Sequence, residues 1–299
     1  MPQGPPTRVV SLVPSDTYTL SGLGLGAALV GRTEYCVHPV EVVSELPAIG
    51  GTKNVDVEAV ARLKPDLVIA NREENRRCDI EAIGELGIPL LLSFPKTVAE
   101  GIEHMAEMAA LFGEASREAM PIIEAAREVH RRLAERSVRA VPTFVPIWMD
   151  PLMTVNASTF ISDALELAGG RNVFADRERR YPLSADLGRR EPLPPEEHPE
   201  RDTRYPRISR EEVVDRQPEL VLLPDEPHEF SSEDASVFRN LDLPATRLRL
   251  MDGGDGVRFC DGKDLMWYGL RTIEGLEKLS QIIDSVRNAK AGSFGSSGA

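Results

Sequence analysis

The chain has few cysteines and no long apolar run. Only three cysteines occur among its 299 residues, at positions 36, 78 and 260, and no two of them form a CxxC pair. An odd, widely spaced set of this kind predicts neither a disulfide framework nor a zinc knuckle. No apolar run approaches the roughly 20 residues that a membrane-spanning helix needs. We therefore expect no membrane span.

The chain also lacks a basic patch. Its formal net charge is −13, and no block of lysines and arginines stands out. Nucleic acids and anionic membrane surfaces both require a basic footprint on the protein that binds them. Neither is therefore expected as the main partner.

The N-terminal residues, MPQGPPTRVVSLVPSD, do not have the pattern of a secretory signal. Such a signal needs a basic region, an apolar stretch of roughly 7–15 residues and a small-residue cleavage site. As written, the chain is therefore predicted to be cytoplasmic. An extracytoplasmic, periplasmic location is the alternative if the true start lies upstream or was trimmed.

Signatures of common enzyme classes are missing as well. The chain contains no GxSxG nucleophile elbow, no GxxxxGK[ST] phosphate-binding loop and no HExxH helix. The glycines of GLGLGAALVG lie within a predicted helix and not in the turn before it, so they do not indicate a dinucleotide site. We therefore predict a protein that is not an enzyme and has no intrinsic cofactor.

The first 95 residues alternate between strand and helix patterns. Apolar, β-branched runs predict strands at RVVSLVP, AALVGRT, PDLVIA and IPLLLSF, with helices at TYTLSGLGLG, VDVEAVARLK and CDIEAIGELG. Ser15 and Asp16 are expected to cap the first helix. Such alternation is typical of a parallel α/β sheet. Residues 8–112 are therefore predicted to form one α/β lobe.

The rest of the chain repeats this organisation after one long helix, predicted over residues 113–140. Strands are then predicted at VPTFVPIW, PELVLLP and ATRLRLMDG, and helices at STFISDALELAGG, EEVVDRQ and TIEGLEKLSQIIDSVRNA. Residues 141–285 are predicted as a second α/β lobe, and residues 286–299 as a flexible tail. Within this lobe, the Pro- and charge-rich insert 178–205 is predicted as a surface loop or lid.

Two pairs of stretches indicate that the lobes are similar to each other. VARLKPDLVIANREEN begins at Val60 and VVDRQPELVLLPDEPHEF at Val213, so that Pro65 and Pro218 occupy equivalent positions. TYTLSGLGLG and TFISDALELAGG form a second pair at the heads of the two halves. Matching order with unequal loops predicts two similar lobes. The alternative is chance similarity between α/β units.

These segments resemble the cobalamin, haem and iron-siderophore class of ABC-transporter substrate-binding proteins. The resemblance rests on RVVSLVPSDTYTL, ELPAIGGTKNVDVEAVARLKPDLVIAN, STFISDALELAGGRNVF, YPRISREEVVDRQPELVLLPDE and WYGLRT, and it spans residues 8–285. It implies an α/β fold of two Rossmann-like lobes with parallel sheets, joined by a single long α-helix. This is the class III periplasmic-binding-protein architecture, also described as a helical-backbone metal receptor.

The resemblance also implies a function. A member of this class captures a metal chelate or corrinoid in the cleft between its lobes and passes it to an ABC importer. Cobalamin is the first choice of ligand, and a ferric chelate, either a siderophore or haem, is the second. A monomer with a small-molecule ligand and a permease partner is expected. The missing export signal motivates an alternative, a cytoplasmic sensor or chaperone for a metal-containing ligand that uses the same fold without a transporter.

Ligands of open α/β sheets bind beyond the carboxyl ends of the strands. The residues predicted to contact a ligand there are Ser15, Asp16, Tyr35, Asn71, Arg72, Trp148, Asp150, Trp267 and Tyr268. The aromatic ones suit a large planar chelate, because each ring buries roughly 150–250 Å² and tyrosine and tryptophan have a polar tip. The Arg72 guanidinium suits an anionic group on the ligand. Core packing of the two tryptophans is the alternative.

Acidic and metal-binding side chains also follow the predicted strands. If the docking mode of the family applies, Glu74 and Glu226 contact arginines of a permease. Acids after the strand could instead favour a helix N-terminus. Glu34, Cys36 and His38 alternate along EYCVHP and would point to one side of an extended segment. Cys36 and His38 are thus candidate metal ligands, or part of an enzyme site for a chelated metal, against the alternative of a structural loop.

Overall fold

The strands form two separate four-stranded parallel sheets, one in each of two structural units. The computed structural model describes residues 4–197 and 200–295. The first unit comprises the residues up to Arg132 together with Trp267–Ile273, and the second comprises Leu133–Met266 and the residues from Glu274 onward. The chain therefore passes from one unit to the other three times.

The first unit contains six strands and six helices among the described residues. Its strands are β1 (Val9–Ser11), β2 (Leu29–Arg32), β3 (Gly50–Gly51), β4 (Asn54–Val55), β5 (Leu67–Asn71) and β6 (Leu90–Ser93). Its helices are α1 (Pro14–Gly22), α2 (Val40–Val43), α3 (Val57–Arg62), α4 (Arg77–Glu85), α5 (Val98–Leu111) and α6 (Ala119–Ala134), the last of which ends in the second unit.

The second unit has a similar content. Its strands are β7 (Val141–Phe144), β8 (Pro146–Met149), β9 (Leu152–Thr154), β10 (Gly170–Asn172), β11 (Leu220–Pro224) and β12 (Val257–Cys260). Its helices are α7 (Phe160–Leu167), α8 (Leu183–Asp186), α9 (Arg210–Arg216), α10 (Ser232–Arg239), α11 (Pro244–Arg247), α12 (Gly262–Met266) and α13 (Leu270–Gly295), which begins in the first unit.

The two parallel sheets have the same strand order. The first runs β2-β1-β5-β6 and the second β10-β7-β11-β12, and the antiparallel hairpins β3/β4 and β8/β9 lie outside them. Leaving the hairpins out, each sheet runs second, first, third, fourth in chain order. The predicted α/β fold with a parallel sheet in each half is therefore confirmed, and the two halves share one topology.

The central strands account for the clearest signal in the sequence. Every residue of β5 and of β11 is buried, since each strand is flanked by neighbours within its sheet. A parallel strand covered on both faces is expected to be an unbroken apolar run. The runs LVIA and LVLL meet this requirement, which is why they are recognisable without the structure.

The start of α1 differs from the prediction. Ser15 and Asp16 lie in the first turn of the helix, and the residue at the cap position is Val13, which makes no side-chain capping bond. Pro14 is the first helical residue, because its fixed φ and its missing N–H suit that position. Asp16, in this first turn, is fully buried.

Three other segments also differ from their predicted form. The linking helix α6 is shorter than residues 113–140, because a 3₁₀ turn at Gly113–Ser116 precedes it, with Gly113 at φ 57°. ATRLRLMDG overlaps the short helix α11, and the fourth strand of the sheet is β12, whose four residues VRFC are too few, and interrupted by Arg258, to give a strand signal. The predicted tail is helical to Gly295, with Val286 fully buried, and its last residues, 296–299, lie outside the described residues.

The insert is also more ordered than a polar surface loop. Tyr181 and Ala185 are buried, and Asp186 is completely buried. The Arg177 guanidinium donates to Asp186 Oδ1 at 2.9 Å, so the buried carboxylate has an opposite charge beside it. Residues 198 and 199 of the insert lie outside the described residues. No described helix is both long enough and apolar enough to cross a membrane.

Candidate functional site

Asp16 lies at the centre of a buried polar network in the first unit. Its side chain is fully buried just beyond the carboxyl end of β1. Oδ1 lies 2.9 Å from Nε2 of His104 in α5, and Oδ2 accepts a hydrogen bond of 2.8 Å from the phenol of Tyr268. One carboxylate thus joins a helix of the first unit to the segment before α13.

The network continues to the ends of two further strands. The hydroxyl of Ser93, at the end of β6, lies 2.8 Å from the Tyr268 phenol oxygen. The Asn71 amide, at the end of β5, donates to Ser93 Oγ at 3.1 Å and to Tyr268 at 3.2 Å. Asp16, Asn71, Ser93, His104 and Tyr268 together are called the buried polar network below.

Asn71 has no polar atom left for a ligand. Its Nδ2 donates to two network members, and its Oδ1 accepts the backbone N–H groups of Glu73 and Glu74 at 2.7 and 3.1 Å. An amide side chain has two donor hydrogens and an acceptor with two lone pairs, so all are used. Asn71 therefore fixes the loop after β5.

The charges in the network follow from burial and from Asp16. Burial raises the pKa of Tyr268 well above its usual range, and the Asp16 charge raises it further, so the phenol keeps its proton. Burial alone would lower the pKa of His104, but the charge of Asp16 and the hydrogen bond to it raise that pKa above 6.5, with Glu107 adding to the effect. The contact with Asp16 thus favours the protonated form of both His104 and Tyr268.

The structure brings together four of the predicted site residues, namely Ser15, Asp16, Asn71 and Tyr268. Ser15 is buried and hydrogen-bonds to Tyr268. Ser93 and His104 were missed, although the sequence holds a signal for His104. It falls on the buried face of α5 among Gly101, Ile102, Met105 and Met108, where a polar side chain needs a partner.

The buried polar network borders a surface depression in the first unit. The depression has a volume of about 430 Å³ and is lined by Leu92, Ser93, Phe94, Pro95, Glu100, Glu103, His104 and Glu107. Two of its acids are already engaged, because Glu103 pairs with Arg127 and Glu100 belongs to the capping box of α5. Its mixed lining does not by itself indicate a ligand.

Trp267 belongs to a second group in the first unit, the aromatic cluster of Tyr18, His38 and Trp267. The centroid of the Trp267 ring system lies 6.3 Å from that of Tyr18, at 69°, and 6.4 Å from that of His38, at 55°. All three side chains are only partly buried. Tyr35, which follows β2, is 57% exposed. Tyr18 was missed by the sequence analysis, although it lies only two residues after Asp16.

Trp148 occupies a similar position in the second unit. It lies in β8, directly beyond the carboxyl end of β7, and is 43% exposed. Its ring centroid is 5.5 Å from that of His228, which in turn lies 4.6 Å from the buried Phe230. Trp148 Nε1 donates to the carbonyl of the exposed Asp150 at 3.1 Å. Trp148 is therefore supported by the core and also accessible.

The remaining candidates are surface charges in different settings. Arg72 and Glu74 are exposed. Glu226 is half-buried and shares a lysine with other acids, since Lys263 Nζ lies 3.9 Å from Glu226 and 3.7 Å from Asp225. Burial lowers the pKa of Lys263, but these carboxylates and that of Asp261 raise it overall. Glu74 is thus the more accessible of the two predicted docking acids.

The hypothesis that Glu34, Cys36 and His38 point to one side is wrong. Residues 34 and 35 form a turn and not an extended strand, so Glu34 is exposed whereas Cys36 is buried with its sulfur 3.1 Å from Thr33 Oγ1. His38 packs against Trp267. Within the described part of the chain, no three His, Cys, Asp or Glu side chains are arranged to hold a metal ion. The enzyme hypothesis that depended on this grouping loses its support.

Comparison with known proteins agrees with this architecture. Residues 9–240 match the family described as "Periplasmic binding protein". A vitamin B12-binding protein of Yersinia pestis (strain Pestoides F) is 28% identical over 243 residues, covering 81% of this chain and 78% of that protein.

Two solved structures are similar over almost the whole chain. The periplasmic vitamin B12 binding protein of Vibrio cholerae has a TM-score of 0.70 and 21% identity, covering 95% of this chain and 98% of that one. The apo periplasmic haem-binding protein of Roseiflexus sp. RS-1 has a TM-score of 0.68 and 22% identity, covering 93% and 98%. At these identities the likeness establishes the fold.

Proposed function

This chain belongs to the periplasmic binding protein family, in its cobalamin, haem and iron-siderophore class of ABC-transporter substrate-binding proteins, and we propose that it captures a corrinoid or another metal chelate for an ABC importer. Cobalamin is the first candidate, because the curated relative is a vitamin B12-binding protein. A ferric siderophore or haem is the second. The relatives are binding proteins and not enzymes, which supports a non-enzymatic role.

One observation about the site supports this proposal most. Each unit has one partly exposed tryptophan that packs against other rings: Trp148, beyond the carboxyl end of β7, lies against His228, and Trp267, between α12 and α13, lies against Tyr18 and His38. Flat aromatic surfaces suit a large planar macrocycle or chelate. Stacking the two removes a large apolar area from water without leaving polar groups unpaired. The buried polar network supports the first unit from within, since its members hydrogen-bond to one another and to the backbone beside them.

Ligand binding is tested by equilibrium dialysis of the full chain against cobalamin, haem and a ferric siderophore. We expect one of them to bind with a Kd well below about 1 mM, the weak end of specific affinities. Trp267→Ala and Trp148→Ala are each expected to weaken that binding by about tenfold or more, equivalent to about 1.4 kcal/mol.

The matched control is Phe259→Ala, which removes an aromatic ring that is 47% exposed and was not predicted as a ligand contact. Its affinity should stay within about twofold of the unmodified chain, well under 1 kcal/mol. Failure of all three ligands to bind would refute the proposed ligand class. Binding that neither tryptophan variant affects would refute the proposed site.

Delivery to an importer is a separate part of the proposal. Glu74 and Glu226 are the proposed contacts with permease arginines, and Glu74→Lys and Glu226→Lys should abolish uptake while leaving ligand affinity unchanged. Fractionation of cells expressing the untagged protein from its own gene should place it outside the cytoplasmic membrane. Recovery of ligand-bound protein solely from the cytosol would instead favour the sensor or chaperone alternative.

A further inference from the structure

The insert of the second unit is a folded element with its own hydrogen bonds. The Arg179 N–H donates to the Thr203 carbonyl at 2.8 Å, and the Leu193 N–H donates to the Tyr181 carbonyl at 2.8 Å. The Asn156 N–H, close to the hairpin β8/β9, donates to the Arg204 carbonyl at 2.9 Å. Side chains along this insert therefore have defined positions relative to one another.

Two guanidinium groups lie against the ring of Tyr181. The Cζ atom of Arg179 is 4.4 Å from the ring centroid, and that of Arg201 is 4.9 Å away. Both distances fall within the range of cation–π attraction. The ring itself is held in place, because it is buried and its hydroxyl donates to the Asp202 carbonyl at 2.7 Å. Two positively charged guanidinium groups therefore lie close together against the Tyr181 ring.

Arg207 adds a third positive charge to the same region. Its Nε is buried and has no hydrogen-bond partner, while Nη1 makes one long bond of 3.3 Å to the Tyr205 carbonyl. Burial lowers the pKa of Arg207 and the charge of Arg179 lowers it further, although Asp186 acts in the opposite direction. A buried donor without a partner and a repelled positive charge both raise the free energy of the folded chain.

The nearby carboxylates are engaged elsewhere. Arg204 donates two hydrogen bonds to the Asp202 carboxylate, from Nε to Oδ1 at 2.9 Å and from Nη2 to Oδ2 at 2.6 Å. Asp202 acts on Arg179 only through its charge at longer range. Asp186 accepts from Arg177 and from the backbone N–H groups of Arg180 and Arg207. Among the described residues, Arg179, Arg201 and Arg207 have no carboxylate within ion-pair distance. This is unusual in a chain of net charge −13.

We propose that Arg179, Arg201 and Arg207 form a binding site for a small oxyanion of the phosphate or carboxylate class, with Tyr181 as its platform. An oxyanion there would accept hydrogen bonds from planar guanidinium groups, whose geometry matches phosphate and carboxylate oxygens. It would also supply the negative charge that the three arginines lack. The site lies wholly within the second unit, and it does not depend on the function proposed above.

The test is isothermal titration of the full chain with inorganic phosphate, and in a second arm with citrate, with chloride keeping the ionic strength constant. One saturable site per chain is expected in at least one arm, and the tighter arm identifies the class of anion. Arg179→Gln and Arg207→Gln should each weaken that binding by about tenfold or more. The matched control is Arg190→Gln, an exposed arginine of the same insert that removes the same charge and should stay within about twofold.

Thermal melts separate a binding role from a structural one. Without the anion, Arg179→Gln should melt close to the temperature of the unmodified chain, because the repulsion of Arg207 that it removes offsets the lost contact with the Tyr181 ring. The anion should raise the melting temperature of the unmodified chain and of Arg190→Gln, but not that of Arg179→Gln. The proposal is overturned if neither anion saturates, if all three variants lose affinity equally, or if Arg179→Gln and Arg207→Gln both melt lower without the anion.

Discussion

Lys64 and Gln217 share a backbone conformation that no other non-glycine residue of the described chain adopts. Each has φ 48°, each follows the end of a helix, and each directly precedes a proline that leads into a central strand. The left-handed region is costly for residues with a Cβ, and the residue before proline is restricted as well. The repeated unit of the sequence therefore encodes one uncommon helix-to-strand turn, used once in each unit.

This turn predicts that Lys64→Gly stabilises the protein. Glycine adopts positive φ without the Cβ clash. The free energy gained in the folded chain exceeds the free energy lost to the greater conformational freedom of glycine in the unfolded chain, so the free energy of unfolding should rise by about 0.5–1 kcal/mol. Lys64 is exposed, so few side-chain contacts are lost. The measurement is urea denaturation, with Lys64→Ala as the control because it keeps the Cβ. A glycine variant no more stable than the alanine variant would contradict this account.

Removing one hydroxyl from the buried polar network should be costly. Tyr268→Phe leaves the second oxygen of the Asp16 carboxylate without its donor, and a hydrogen bond to a buried charge is worth about 2 kcal/mol. Denaturant unfolding should show a loss of that order. Tyr35→Phe is the matched control, since Tyr35 is 57% exposed, and it should change stability by less than about 0.5 kcal/mol. Equal effects of the two variants would show that the hydrogen bond from Tyr268 to Asp16 adds nothing to the free energy of unfolding.

The ion pair between His104 and Asp16 predicts a pH dependence. Because the pKa of His104 is raised above 6.5 in the folded chain, its stabilising effect is complete below the unfolded-state pKa and is lost as pH rises through the folded-state pKa. The difference in unfolding free energy between the unmodified chain and His104→Gln should therefore shrink as the pH is raised above about 6.5. Glu107 is the other acid whose charge raises the pKa of His104. A constant or growing difference would refute the charged pair.

The sequence predicts the elements that rest on local signals. The order of strands and helices around β5 and β11 follows from apolar runs bounded by proline, and these runs are buried as expected. The short strand β12 has no such signal, because it has only four residues and Arg258 interrupts its apolar pattern. Its place in the sheet is decided by pairing with β11, a tertiary contact.

The candidate site was only partly predictable for a related reason. Position at the end of a strand is readable from the sequence, and it grouped Asp16 with Asn71; Tyr268, which precedes the last helix, was added to them, and the structure brings the three together. Which way each side chain points is not readable, so residues expected to face a ligand are instead saturated by one another. Ser93 and His104 join them from elements far apart in the chain, and only the fold brings those elements together.

Thiol reactivity gives a direct check on the burial of the three cysteines. Cys78 is exposed, Cys260 is partly buried and Cys36 is fully buried, and desolvation raises the pKa of Cys36 and of Cys260, the latter also because carboxylates surround it. Because the thiolate is the reactive form, an aromatic disulfide reagent at about pH 8 should react rapidly with about one thiol per chain, and with the other two only after unfolding. Cys78→Ala should remove the rapid phase. Two rapid thiols in the folded chain would mean that Cys36 reaches solvent or that the thiol of the partly buried Cys260 ionises more readily than its raised pKa allows, and rapid labelling of Cys36 in particular would reopen the metal-site hypothesis that its burial argues against.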